Sequence, residues 1–268
     1  MVRRWSLPLL ATAVAFGSVL AMASTASAAQ VRHTTHAPAF RPGGLISGRH
    51  LTGHKGRFAT AESTNWSGYA VTGANGAFSS VSASWKEPTA ICSGNRRRTA
   101  QYSSFWVGLD GYSSSSVEQT GTDADCSGTT PEYYGWYEMY PAYPVNFANT
   151  VRPGDSMSAS VTFSGTETYT LVLKDTTQGW TQTITKNQTG LARSSAEVIT
   201  EAPSSNSGVL PLADFGTVTY SASAANGTSL GSQGPTEIIM INNSGADKDS
   251  TSSINGSGGF SNTWIRSS

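Results

Sequence analysis

The sequence predicts an all-β protein, an antiparallel double-sheet β-sandwich, and three observations carry that prediction. From Asn65 onward, short segments alternate apolar and polar residues with period two. Gly, Asn, Asp and Pro breaks separate them at close spacing, and no stretch of twelve residues carries a helical stripe. Period two is what a strand with one buried face requires, because successive side chains point to opposite sides of a sheet.

Nine segments fit this pattern in order: 76–85 (GAFSSVSASW), 103–110 (SSFWVGLD), 133–140 (YYGWYEMY), 155–163 (DSMSASVTF), 168–175 (TYTLVLKD), 180–185 (WTQTIT), 195–201 (SAEVITE), 215–223 (FGTVTYSAS) and 236–242 (TEIIMIN). The fifth and sixth read as one hairpin with Gly179 in its turn. The Ser- and Gly-rich end, from Gly245 on, closes on Trp264 and Ile265, which hint at a return to the body.

Residues 1–28 stand apart. MVRRW is a positive start, an apolar run follows, and Ala26 and Ala28 occupy the small-residue positions of a cleavage site, so 1–28 reads as a secretory signal peptide. No later segment has the length of a membrane span, and the expected product is a secreted, soluble monomer.

Residues 29–64 form a second distinct stretch, with Arg32, Arg41, Arg49, Lys55 and Arg57 against the single acid Glu62. It also holds all four histidines, His33, His36, His50 and His54. The body from 65 to 268 carries ten Lys and Arg against sixteen Asp and Glu, so zero net charge hides a basic arm and an acidic body. The arm reads as a pro-segment that docks on an acidic cleft as an intramolecular inhibitor, with histidines that gain charge at low pH.

Cys92 and Cys126 suit one structural disulfide in an oxidising compartment; two thiols without a neighbouring histidine do not make a zinc site. Absences then narrow the chemistry. With no histidine after residue 64, Ser-His, Cys-His and His-metal arrangements are excluded from the body. No Gly-rich phosphate loop opens a helix, and an acidic body is a poor partner for nucleic acid. No metal or cofactor is expected. Carboxylates and amides must do any chemistry, on a neutral polymer such as a polypeptide or a glycan.

Strand alternation sorts the candidates. An extended 117–123 puts Val117, Gln119, Gly121 and Asp123 on one face. Tyr134, Trp136, Glu138 and Tyr140 share a face, so two aromatic rings flank a carboxylate. Glu197, Ile199 and Glu201 share another, and Trp106 and Asp110 point one way in 105–111. These residues alone leave three functions open: a peptidase, a carbohydrate-binding sandwich with Trp136, Tyr140 and Trp180 as sugar platforms, and a two-carboxylate glycosidase using Glu138 and Glu197.

Seven ordered stretches, NWSGYAV (65–71), FWVGLDG (105–111), EQTGTD (118–123), YGWYEMYP (134–141), GDSMSASV (154–161), SAEVITE (195–201) and IIMINNSG (238–245), resemble the glutamic peptidases, or eqolisins. The resemblance implies a double-sheet sandwich, secretion as a precursor and endopeptidase activity at acidic pH. Motif by motif, the catalytic pair falls on Gln119 and Glu197. The cleft positions fall on Trp106, Asp110, Asp123, Trp136, Glu138 and Tyr140. Val198 follows Glu197 where the family often has an aromatic, and the family's other cysteines are missing, so its disulfide pattern does not carry over. In the implied chemistry Glu197 takes a proton from water and returns it to the leaving amine, while Gln119 holds the water and the oxyanion.

Overall fold

A computed structural model describes residues 45–47, 58–94 and 99–268, and the backbone of 50–55. The signal-peptide stretch, and most of the basic arm before residue 58, lie outside the described side chains. In chain order the strands are β1 (His50–Lys55), β2 (Phe58–Ser63), β3 (Trp66–Thr72), β4 (Ser80–Lys86), β5 (Ser104–Leu109), β6 (Val117–Ser127), β7 (Thr130–Tyr140), β8 (Val145–Asn146), β9 (Ser156–Phe163), β10 (Thr168–Asp175), β11 (Trp180–Asn187), β12 (Ser195–Glu201), β13 (Ser204–Ser205), β14 (Gly208–Val209), β15 (Thr217–Ala225), β16 (Thr228–Ser229), β17 (Thr236–Met240), β18 (Asp249–Thr251) and β19 (Phe260–Trp264). Only two short 3-10 turns interrupt them among the described residues.

Two sheets face each other. The first runs β1-β2-β17-β3-β12-β5-β6-β7-β8 and is antiparallel except at β2–β17. The second runs β11-β10-β9-β4-β15-β19-β18, with β16 beside β15. Each of the nine segments read from the alternation contains a strand, and β10 and β11 form the expected hairpin, with Gly179 at φ 76° in the turn. The C-terminal stretch supplies β18 and β19 to the second sheet, and Leu212 N–H bonds the Ser267 carbonyl to hold the end. Residues 50–55 and 58–63, inside the stretch assigned to the leader, form β1 and β2 of the first sheet, and Ala61 and Ser63 are fully buried.

The alternating residues explain the sandwich. Val81, Ala83 and Trp85 of β4, Met157, Ala159 and Val161 of β9, and Leu171 and Leu173 of β10 turn inward. They meet Phe105, Val107 and Leu109 of β5 and Val198 of β12 in one core. Each large side chain taken from water contributes roughly 1.5–3 kcal/mol. Phe105 meets Phe215 edge-on at 5.4 Å, and Tyr220 stacks on Phe260 at 4.8 Å. The Tyr220 hydroxyl donates to the Ile199 carbonyl at 2.8 Å, so its polar end is satisfied inside the core. Cys92 and Cys126 are bridged across 34 positions of sequence, which in the chain-entropy picture contributes about 4 kcal/mol.

Strand β6 breaks the apolar rule. Its inward residues are Glu118, Thr120, Thr122 and Ala124, all buried. Burial pushes the Glu118 carboxyl up to about 9, with Asp110 adding to the shift. Opposite, Glu87 is likewise raised by burial and accepts hydrogen bonds from Thr122 at 2.5 Å and from the Trp85 indole at 3.4 Å. Burial therefore favours the neutral form of both core acids.

Candidate active site

The outward face of the first sheet carries the candidate residues in cross-strand rows. Register pairs Ala70 with Glu197, Glu197 with Gly108, Gly108 with Gln119, and Gln119 with Glu138. Directly paired residues point to the same face, so β12, β5, β6 and β7 bring Glu197, Gln119 and Glu138 into one line. Strands are about 4.8 Å apart, so Glu197 and Gln119 stand roughly 10 Å apart at Cα, with one residue between them. That residue is Gly108. A Cβ there would meet the Trp106 ring at 2.9 Å, Val117 at 3.1 Å and the Gln119 Cβ at 3.3 Å. Glycine is thus the residue that fits between the two strands, where the Trp106 ring, Val117 and Gln119 leave no room for a side chain.

The next row along the strands is Gly68, Ile199, Trp106, Gly121 and Trp136, and the one beyond is Trp66, Glu201, Ser104, Asp123 and Tyr134. Gly121 is required beside Trp106: a Cβ would lie 2.2 Å from the Phe105 carbonyl oxygen and 2.5 Å from the Trp106 Cβ. Two indoles are tied to carboxyls in the adjacent row. Trp106 donates to Glu201 at 2.9 Å, and Trp136 to Asp123 at 2.6 Å. Trp66 packs edge-on against Trp106 at 4.9 Å. Tyr140 pairs with Val117 at the row's far end and is half-buried.

Gln119, Glu138 and Glu197 are each 0 % exposed. The Gln119 amide donates to Glu138 at 2.8 Å, which fixes the plane of the amide and hence the direction of its second N–H. Ser195, two residues before Glu197 on the same face, donates to its Oε1 at 2.5 Å. Burial raises the Glu197 carboxyl well above the usual carboxylate range; the Ser195 hydroxyl opposes the rise, and the charges of Asp110 and Glu118 add to it.

Asp110 sits differently from the other candidates. The extended alternation stops at Leu109, and Asp110 adopts φ 71°. Its carboxylate accepts from the backbone N–H of Arg193 at 2.6 Å and of Ser194 at 2.9 Å, while its own N–H donates to the Ser195 carbonyl at 3.0 Å. Asp110 therefore clamps the loop that delivers Ser195 and Glu197 instead of lining the row. The left-handed backbone is the cost of that turn, of order 1–3 kcal/mol.

The face is covered. Leu45 and Ile46 pack on the cluster formed by Trp66, Trp106, Tyr112, Trp136 and Ile199. The Ile46 N–H bonds the Gly111 carbonyl at 3.4 Å. The Asn65 side chain grips the same short segment at both ends, accepting from Ser47 N–H at 2.8 Å and donating to the Leu45 carbonyl at 3.0 Å.

Sequence reading missed Ser195 and the tether of Asn65. Ser195 had a usable signal, since it stands at period two from Glu197; Asn65 had none. The sugar-platform alternative gains nothing, because Trp180 lies on β11 of the other sheet, away from Trp136 and Tyr140. The glycosidase alternative needs two facing carboxyls, yet Glu138 and Glu197 are three strand spacings apart, roughly 14 Å at Cα, with Gly108 and Gln119 between them.

Fold and rows together define a class: an all-β sandwich whose outer sheet face holds a buried line of carboxyl and amide groups, served by serine and tryptophan donors. The chain belongs to the Peptidase A4 family, whose sequence model matches residues 64–264. It is 31% identical over 235 residues to Aspergillopepsin-2 of Aspergillus niger, covering 81% of each chain. The structure is similar to that of scytalido-glutamic peptidase bound to a transition-state analogue inhibitor. There the TM-score is 0.64 and the identity 27%, over 75% of this chain and 98% of that one. It is also similar to aspergilloglutamic peptidase from Aspergillus niger, with a TM-score of 0.55 and 26% identity over 62% of this chain and 99% of that one. The protein is a glutamic-type endopeptidase, and its substrates are polypeptides.

Proposed function

We propose that Glu197 and Gln119 are the catalytic pair of a secreted, acid-active peptidase made as a precursor. The observation that carries this reading is the shared row: Glu197 and Gln119 flank Gly108 on one face, the first held by Ser195 and the second by Glu138. A water seated over Gly108 meets a carboxylate able to take its proton and an amide able to hold it. Attack on a peptide carbonyl then forms a tetrahedral oxyanion, which the second N–H of Gln119 stabilises, and Glu197 returns the proton to the departing amine. An amide suits the role because its donor does not titrate at acid pH.

The covered face supports the precursor reading. Burial favours the protonated form of Glu197 and so weakens it as a base, and Leu45 and Ile46 lie on the aromatic cluster beside it. Displacing the segment that carries Leu45 and Ile46 admits water, lowers the Glu197 carboxyl toward its ordinary range and switches the base on. Secretion rests on the signal-type start of the sequence and agrees with the oxidised Cys92–Cys126 pair.

The test is cleavage of a denatured protein by processed wild type, Glu197→Gln and Gln119→Ala across acid to neutral pH. Loss of one oxyanion donor costs roughly 10²–10³ in rate, so both variants are expected to fall at least that far while keeping the wild-type circular dichroism spectrum. Either variant retaining a third of wild-type activity sinks the assignment. For the leader, Leu45→Asp with Ile46→Asp is expected to speed activation of the precursor; unchanged activation kinetics refute the covering role.

A further inference from the structure

Below Trp136, three titratable side chains meet that the dyad chemistry does not use. Asp123 and Asp125 both stand on the outward face of β6, and Tyr134 of β7 lies across from them. The Tyr134 hydroxyl is 3.0 Å from Asp123 Oδ2 and 2.7 Å from Asp125 Oδ2. A phenol has one proton, so it donates to only one of these oxygens; the other contact is a hydrogen bond only if that carboxyl carries a proton and donates to the phenol oxygen.

The donors decide which one. Asp123 has the larger set of donors, the Trp136 indole at 2.6 Å through Oδ1 and the Ser104 hydroxyl beside it, as befits the charged member. Asp125 receives the Ser103 backbone N–H at 3.0 Å through Oδ1, which leaves Oδ2 as the O–H facing Tyr134. The chain therefore reads Asp125 O–H to Tyr134 O–H to Asp123 carboxylate, with the Trp136 N–H closing on the same carboxylate.

We propose that Asp125 and Tyr134 are positioning residues for the peptidase: the proton they share with Asp123 anchors the Trp136 indole in the substrate-binding face, and its loss at higher pH releases that wall. This rests on the reading of Trp136 as part of the cleft. Trp136 stands one residue pair from Glu138, which holds Gln119, so a loosened indole disturbs the row from its side.

The surroundings agree with one retained proton. Asp123 and Asp125 are 0 % and 3 % exposed. Among the described residues, the titratable groups facing them are Tyr134 and Glu132 of β7, Tyr102 before β5 and Glu87 after β4, while Ser104 of β5 adds a hydroxyl toward Asp123. Burial raises both carboxyls. For Asp125 the neighbouring Asp123 raises it further, and the Tyr134 contact works against the rise in each. When Asp125 loses its proton, two carboxylates face one phenol in a dry site, and their repulsion shifts Asp123, the carboxylate to which the Trp136 indole is tied.

The test is binding of a non-cleavable peptide analogue to the processed enzyme from about pH 3 to about pH 8, alongside kcat and KM. In wild type, Kd and KM are expected to rise about tenfold or more toward the upper end, the equivalent of one weakened charge-assisted hydrogen bond. Asp125→Asn supplies a permanent N–H donor to the phenol, so its Kd is expected to stay within about twofold across the range. Tyr134→Phe is expected to bind weakly at every pH, with kcat reduced less than KM is raised. Nitrogen-15 labelling of the indoles gives a readout independent of peptidase activity. One indole resonance, absent from Trp136→Phe, is expected to titrate in wild type and not in Asp125→Asn. If that resonance does not titrate in wild type, or titrates identically in Asp125→Asn, the shared proton is refuted whatever the enzyme cleaves. If it behaves as expected but Kd stays flat with pH, Trp136 is not part of the binding face and the positioning role falls.

Discussion

The outward faces of the two sheets follow the same strand period and have opposite chemistry. On the second sheet the facing rows are hydroxyls, as in Thr181, Lys174, Ser158, Ser84 and Ser221, or Thr185, Thr170, Thr162 and Ser80. Most are exposed or half-buried, and Lys174 alone in those rows carries a charge. On the first sheet the outward rows hold Glu197, Gln119, Glu138, Glu201 and Asp123 among three tryptophans, all fully buried. Solvated hydroxyls keep their ordinary properties, whereas burial pushes the Glu197 and Asp123 carboxyls upward and surrounds them with fixed donors. Residue type makes one face capable of acid–base chemistry and the other not, and cover sets the protonation of the acids on the first.

The largest effect that separates the faces is at Gly108. Gly108→Ala puts a methyl against the Trp106 ring and Gln119, and overpacking of this kind costs about 1–3 kcal/mol. With Gln119 and Trp106 pushed out of place, the enzyme is expected to lose at least about tenfold in kcat at near-normal fold, measured beside the melting temperature. Unchanged kcat would mean that the space over Gly108 plays no part in catalysis.

A middle-sized effect sharpens the role of cover. Burial raises Glu118 to about 9 and Asp249 to about 7, so the folded state holds protons that the unfolded chain releases near pH 4. Stability from these groups is fully present below that unfolded value and is lost as pH rises through about 7 to 9. The melting temperature is therefore expected to be highest in acid and to fall toward alkaline pH, and Glu118→Gln is expected to flatten that fall. A Glu118→Gln curve parallel to wild type would remove Glu118 from the account. The smallest effect is on the second sheet: Ser84→Ala and Ser158→Ala are expected to stay within about 0.5 kcal/mol of wild type with unchanged activity, checked by denaturant titration.

Much of the site was legible before folding was considered. Period two assigned Tyr134, Trp136, Glu138 and Tyr140 to one face and Glu197 to the same face as Glu201, and the register agrees. The missing histidines left carboxyls and amides as the reactive groups. Asp110 misled the same rule, because alternation holds only while the backbone stays extended and Asp110 turns left-handed. Glu118 points into the core, a carboxyl on the buried face that no short sequence pattern announces.

By itself, then, the sequence determined the long strands of the body, the face their side chains take while the backbone stays extended, and the kinds of group available for chemistry, since all of these follow from local backbone geometry and composition. The tertiary structure alone decided that Glu197 and Gln119, 78 positions apart in the chain, flank one glycine. It also decided that Leu45 and Ile46 lie on the aromatic face, and that Asp123, Tyr134 and Asp125 share a proton. The physical reason is that cross-strand register and burial depend on which distant segments pair, and neither leaves a mark on any short stretch of chain.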